Sequence, residues 1–176
     1  MQRTSEEKTE LFERTPIRQA ALTLIVPTVI SQLVVLVYNM ADTWFIGQTG
    51  DPHQVAAVTV TYPIFMMMNA LANLFGIGGS SLISRMLGSG EQEKTGAVAA
   101  FSLWAAGGVT LIYSLVCLLF DGALLTMLGT DTGTFGYAKD YLFWTVIVGG
   151  LPTVLNLVLA NLIRAQGEAR TASIGM

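Results

Sequence analysis

The sequence predicts an all-α integral membrane protein: four transmembrane helices plus the start of a fifth. Three observations predict it. The chain has 176 residues, is 52% hydrophobic and has a mean hydropathy of +0.58. Only 12% of its residues are charged, about half the share usual in a soluble domain. The apolar excess is gathered into four uncharged stretches, 19–41, 52–84, 95–120 and 141–163. Each is long enough to cross ~30 Å of hydrocarbon, which takes about 20 helical residues. The stretches are continuous and rich in Leu, Ala and Met. They lack the alternation over about ten residues that marks membrane β-strands. Helices are therefore expected at about 19–46, 54–84, 95–120 and 137–163.

Residues 1–18 precede the first helix and carry both signs of charge. They lack the short apolar core and small-residue cleavage site of a secretory leader. They read as a cytoplasmic tail, either solvated or lying on the membrane as an amphipathic helix through Leu11, Phe12 and Ile17. Orientation follows from Lys and Arg. Arg3, Lys8, Arg14, Arg18, Arg85, Lys94, Arg164 and Arg170 all fall on the side of the N-terminus, and Lys139 alone falls on the other. This places the N-terminus in the cytoplasm.

In the first helix, Thr28, Ser31, Gln32, Tyr38, Asn39 and Asp42 lie within about 80° of one direction at ~100° per residue. Leu22, Ile25, Val29, Leu33, Leu36 and Met40 form the opposite, apolar face. A polar stripe on a membrane helix must face protein or water, because unsatisfied polar groups are costly in hydrocarbon. Thr28 and Ser31 read as cross-links between helices. Asp42 has two readings. An intramembrane carboxylate marks a functional site, but a helix starting near Arg18 has risen about 36 Å by position 42, where Asp42 would sit among headgroups or cap the turn at 47–50. Pro27 lies a third of the way along and breaks a backbone bond, giving a hinge or a static kink.

The second helix sets Tyr62, Met66, Asn69, Asn73, Gly76 and Ser80 at helical spacing, a polar and small face. Its glycines lack the ending of a phosphate loop and follow no strand, so close helix packing explains them. The third helix, with Gly107, Gly108 and Cys117 but no ionisable acid or base of the Asp, Glu, Lys or Arg kind, reads as a packing helix. The fourth places Tyr141, Thr145, Gly149, Pro152 and Asn156 on one face. Gly175 and Met176 read as the opening of a further apolar run, the mark of a fragment.

Function classes narrow quickly. No basic patch suits nucleic acid. Cys117, the lone cysteine, makes an intrachain disulfide impossible. His53, the lone histidine, reads as a surface residue in a loop. No metal-ligand cluster is visible, and no nucleophile has a base to activate it, so an enzyme is not expected.

Several short pieces together resemble the N-terminal part of a multidrug and toxic compound extrusion (MATE) transporter, in the style of the MepA-like bacterial branch. They are "LTLIVPTVISQL" with its early proline, "NMADTWFIGQTG", "VAAVTVTYPI", "GGSSLISRMLGSGEQEKTG", "YLFWTVIVGGLPTVLN" and "LIRAQGEARTAS". The resemblance covers nearly everything after the tail, with 19–176 as part of the N-terminal six-helix lobe of a twelve-helix transporter. It implies an antiporter in the cytoplasmic membrane of a bacterium, exporting drugs or other organic, often cationic, molecules against inward H⁺ or Na⁺, and working as a monomer when complete. It implies no cofactor beyond that coupling ion. It assigns coupling-cation binding, Na⁺ included, to Asp42, with Asn39 one turn away, and bending to Pro27. Gln32, Tyr38, Asn69, Asn73, Tyr141 and Asn156 are then cavity-lining candidates. The departure from the family pattern is that the fifth helix stops after its first residues and the rest is missing. Two alternatives stand beside this: a lipid-linked precursor flippase of the related superfamily, and a four-helix oligomeric scaffold or pore.

Overall fold

The computed structural model describes residues 16–174, with the side chains of Ile17, Ala20, Thr23, Leu24, Asp42, Gln92, Ala169, Arg170 and Ile174 left aside. The expected tail contacts Leu11, Phe12 and Ile17 thus lie outside the described residues and side chains.

Helix α1, Ile17–Gln48, begins after Pro16, whose ψ of 135° is extended and not helical. It runs through Pro27 and stops where Gly50 takes φ +69°, a conformation L side chains avoid. Helix α2, Pro52–Gly88, starts with proline in its first position, where no N–H is needed. Asp51 caps it, accepting the His53 N–H at 2.9 Å. A 3₁₀ turn, Gln92–Lys94, leads into α3, Thr95–Leu119. The short α4, Asp121–Met127, lies between α3 and α5, Thr132–Leu142. Asp131 caps α5 by accepting the Thr134 N–H at 2.8 Å. The chain then passes through a π-helical stretch, Phe143–Val148, into α6, Gly150–Ala165, and ends in α7, Ala169–Ile174.

Three of these helices are long and apolar enough to cross a membrane, and a fourth span forms if the bent pair 135–148 and Gly150–Ala165 counts as one. The pair bends by 48°. An unbroken helix over about 137–163 was expected, with Tyr141 and Asn156 on a common face. The structure corrects this: helical structure starts at Thr132, and the wider π turn with the Gly149–Gly150 pair shifts the register between those two residues.

The central post is α2, packed chiefly against α6, α3 and α5. It buries Ala57, Thr61, Ile64, Met68, Ala72, Gly76, Gly79 and Ile83, a stripe recurring every three or four residues. Close approach is set by what is missing. A methyl on Gly76 would lie 2.8 Å from the Asn161 amide, and one on Gly79 would run into the Ser102 hydroxyl. One on Gly150 would come to 3.0 Å from the Met68 sulfur. Hydrogen bonds also cross between helices. The Tyr113 hydroxyl donates to the Ile64 carbonyl at 2.8 Å, and the Ser114 hydroxyl to the Val146 carbonyl at 3.0 Å, inside the π-helical stretch. Lipid offers no hydrophobic drive between helices, so such packing and bonding hold the bundle together. The reading of α3 as a packing helix fits: it buries Ser102, Ala106, Thr110, Ser114 and Cys117.

Candidate functional site

The polar stripe of α1 divides into two parts. Toward its start, Ser31 is 7% exposed, and Pro27 and Thr28 are half-buried. This is where α7 lies against α1: the Ser173 hydroxyl donates to the Pro27 carbonyl at 3.1 Å. Farther along, Gln32, Tyr38 and Asn39 are exposed. Asp42 stands on the last turns of α1, and its side chain lies outside those described. Its neighbour Thr43 donates its hydroxyl to the Asn39 carbonyl at 2.9 Å. Thr43 and Ile46 also form one wall of an open cleft of about 240 Å³, whose other wall is Val55, Val58, Thr59 and Tyr62 of α2. The Thr59 hydroxyl bonds back to the Val55 carbonyl at 2.9 Å, so the cleft presents mainly hydrocarbon and the Tyr62 ring.

On α2 the polar face expected from spacing is not uniform. Tyr62 and Met66 are exposed, Asn69 and Asn73 half-buried, and Gly76 buried against α6. The Asn69 amide donates to the Phe65 carbonyl of its own helix at 3.0 Å. Tyr141 is half-buried, its carbonyl accepting the Thr145 hydroxyl at 2.6 Å, while Asn156 is exposed beyond the bend. The structure therefore brings Thr43 and Ile46 of α1 beside Tyr62 of α2. Among the described residues, no group of three or more His, Cys, Asp or Glu is placed to hold a metal ion.

Two arrangements at the Gly50 end escaped sequence reasoning. The His53 ring, about half exposed, lies 3.2 Å from the Thr134 hydroxyl and 3.9 Å from an Asp131 carboxylate oxygen. It rests on Gly133, where a methyl would come to 2.6 Å from the ring. The helix caps Asp51 and Asp131 were visible as residues, but nothing in the sequence paired position 53 with 134. Lys139 meets Asp121 at 3.0 Å, holding that carboxyl below the usual carboxylate range. Hydrogen bonds from Thr134 do the same for Asp131.

With this geometry in view, comparison with known proteins is decisive. A profile of the MatE family matches residues 27–175. The chain belongs to the MatE family. Among MatE relatives, the multidrug export protein MepA of Staphylococcus aureus is 31% identical over 172 residues, covering 97% of this chain and 38% of that protein. The MepA of Staphylococcus saprophyticus matches to the same extent. A solved outward-facing multidrug resistance MATE transporter of the MOP superfamily superposes with a TM-score of 0.87 at 27% identity, covering 98% of this chain and 38% of that one. A MOP superfamily transporter from Pyrococcus furiosus, described as having a binding pocket of reversed polarity that suggests a different function, gives 0.81 at 27% identity over 98% of this chain and 37% of its own. The chain thus spans little more than a third of the length of these MatE relatives.

Proposed function

We propose that this chain supplies the first part of the N-terminal lobe of a cation-coupled antiporter that exports drugs or other organic, often cationic, molecules across a bacterial cytoplasmic membrane. The observation that carries the reading is the MatE match over 27–175, which takes in Pro27 and the whole polar stripe up to Asp42. Asp42 is the coupling residue, binding H⁺ or Na⁺, with Asn39 one turn below it. Burial disfavours a charged carboxylate and raises its pKa, so closing the lobe around Asp42 favours its protonated or ion-bound form. Opening releases the cation. A bound cation drives transport only if it stabilises one lobe arrangement over the other. Each charge carried inward then contributes about 2.3 kcal/mol per 100 mV. Gln32, Tyr38, Asn69, Asn73, Tyr141 and Asn156 supply polar wall to the substrate path, and Pro27 is the hinge. The charge count puts the N-terminus and the Gly90 end in the cytoplasm, and the Gly50 end outside.

The flippase reading calls for cationic side chains inside the cavity to hold lipid phosphate. The stretch 19–84, which takes in α1 beyond Arg18 and most of α2, contains no Lys or Arg, and this favours the exporter. The test is Asp42→Asn in the complete transporter, reconstituted in liposomes. Export driven by an imposed H⁺ or Na⁺ gradient should fall at least tenfold. Full gradient-driven export by that variant, with unchanged cation dependence, would sink the assignment.

A further inference from the structure

The stretch of α1 around Pro27 is weakened on two sides. Pro27 has no N–H to give to the carbonyl of Thr23, one turn earlier. Its own carbonyl is shared: the Ser31 hydroxyl donates to it at 3.1 Å, and so does Ser173 of α7, also at 3.1 Å. A carbonyl has two lone pairs, and hydroxyls that bond back to the carbonyl four residues earlier loosen and bend helices. Of the two donors, only Ser173 comes from outside the helix. Ser31 is also the one buried residue among the described side chains of α1. Elsewhere α1 is largely exposed, and it rests more on α7 than on α2.

We infer that Ser173 is a positioning residue for coupled export, its hydroxyl fixing how α1 sits on α7 at Pro27 and so the place where Asp42 stands. This rests on the reading of Asp42 as the coupling site. The leverage is considerable: Asp42 lies about 22 Å farther along the helix, so a change of ~10° at Pro27 displaces it by about 4 Å. With the bond intact, α7 follows α1. Without it, α1 bends independently, and the cation site samples positions that the rest of the lobe does not track.

The experiment uses the complete transporter in liposomes, with Ser173→Ala and Ser173→Thr each made with Pro27 present and with Pro27→Ala. One readout is the distance distribution between nitroxides at Gln48 and Gly136, which reports the far end of α1 against α5. The other is the cation concentration for half-maximal export. Ser173→Ala is expected to shift or broaden the distances and to move the half-maximal cation concentration roughly threefold to tenfold, the weight of one ordinary hydrogen bond. Ser173→Thr, which keeps a hydroxyl, should restore both. In the Pro27→Ala background Ser173→Ala should add little, because the restored N–H stiffens α1 at that point. Should Ser173→Ala not reach the membrane, Ser173→Cys, a weak donor of similar size, takes its place. Unchanged distances and unchanged cation dependence overturn the inference. So do fully additive effects of the two sites, or a failure of threonine to rescue. If the unaltered transporter ignores both H⁺ and Na⁺, it is the coupling reading that fails, and the nitroxide distances alone then decide whether Ser173 fixes how α1 sits on α7.

Discussion

Helices α1 and α2 look alike in sequence and behave differently in the fold. Both are long, free of Lys, Arg, Asp and Glu through their centres, and interrupted by one proline, Pro27 or Pro63. Yet α2 buries a residue at nearly every turn, while α1 buries Ser31 alone among its described side chains. The two helices also differ in side-chain size. Helix α2 carries Gly76 and Gly79 on its contact stripe, where a Cβ would collide with Asn161 or Ser102. Helix α1 has no glycine before Gly47, and its flanks are Val, Ile and Leu, which hold a neighbour at a distance. Apolar composition places a helix in lipid; small residues decide whether another helix can come close.

The largest test of that contrast is Gly79→Leu. Overpacking a filled site costs about 1–3 kcal/mol and often more for so large a side chain, and here the folded fraction in detergent should collapse. Leu36→Ala on α1, at a residue 54% exposed, should stay within about 0.5 kcal/mol of the parent. Equal tolerance at both sites would remove the distinction. Next comes Ser114→Ala, which strips the Val146 carbonyl of its hydroxyl donor at the π-helical stretch. It should cost about 1–3 kcal/mol as a lower thermal midpoint. Thr43→Ala, whose hydroxyl bonds only back along α1, serves as the near-neutral counterpart. Gly133→Ala should push the half-exposed His53 ring away from Thr134 for under about 1 kcal/mol. A histidine resonance that moves in this variant would confirm the contact.

The smallest effect is a pH dependence. Hydrogen bonding to Lys139 lowers the Asp121 carboxyl from its ordinary value. A carboxyl depressed in the folded state adds stability that is fully present above its unfolded pKa, about 4. That stability is lost as pH falls through the folded value. Melting curves of the parent and of Asp121→Asn should therefore differ above about pH 4 and converge below it. Solvent exposure of the Lys139–Asp121 pair keeps the difference small.

Much of this was legible in the sequence because lipid enforces it. A run of about 20 apolar residues must be helical to satisfy its backbone, so the spans and the helical class follow from composition. The starts of α2 and α5, at Pro52 and after Asp131, were placed too late by the apolar pattern, although proline and aspartate mark them through local chemistry. The break at Gly149 was not legible. Two adjacent glycines and Pro152 signal a weak place, but whether the chain bends there depends on Ser114 and Met68, which come from other helices. The same holds for the contacts of His53 with Thr134 and of Ser173 with Pro27, each joining residues far apart in sequence. The stripe on α1 could be read residue by residue, but not its division into a part covered by α7 and a part left open. Periodicity reports direction around one helix and nothing about what stands opposite.

The His53 contact also bears on how far α1 can travel. Only residues 49–51 join α1 to α2, a tether of at most about 11 Å when fully drawn out. One side of that tether is anchored, because His53 ties the start of α2 to Thr134 at the start of α5. The far end of α1 is therefore held close to the start of α2, which itself touches α5. The loop at Gly50 therefore limits how far that end of α1 can move away from α2.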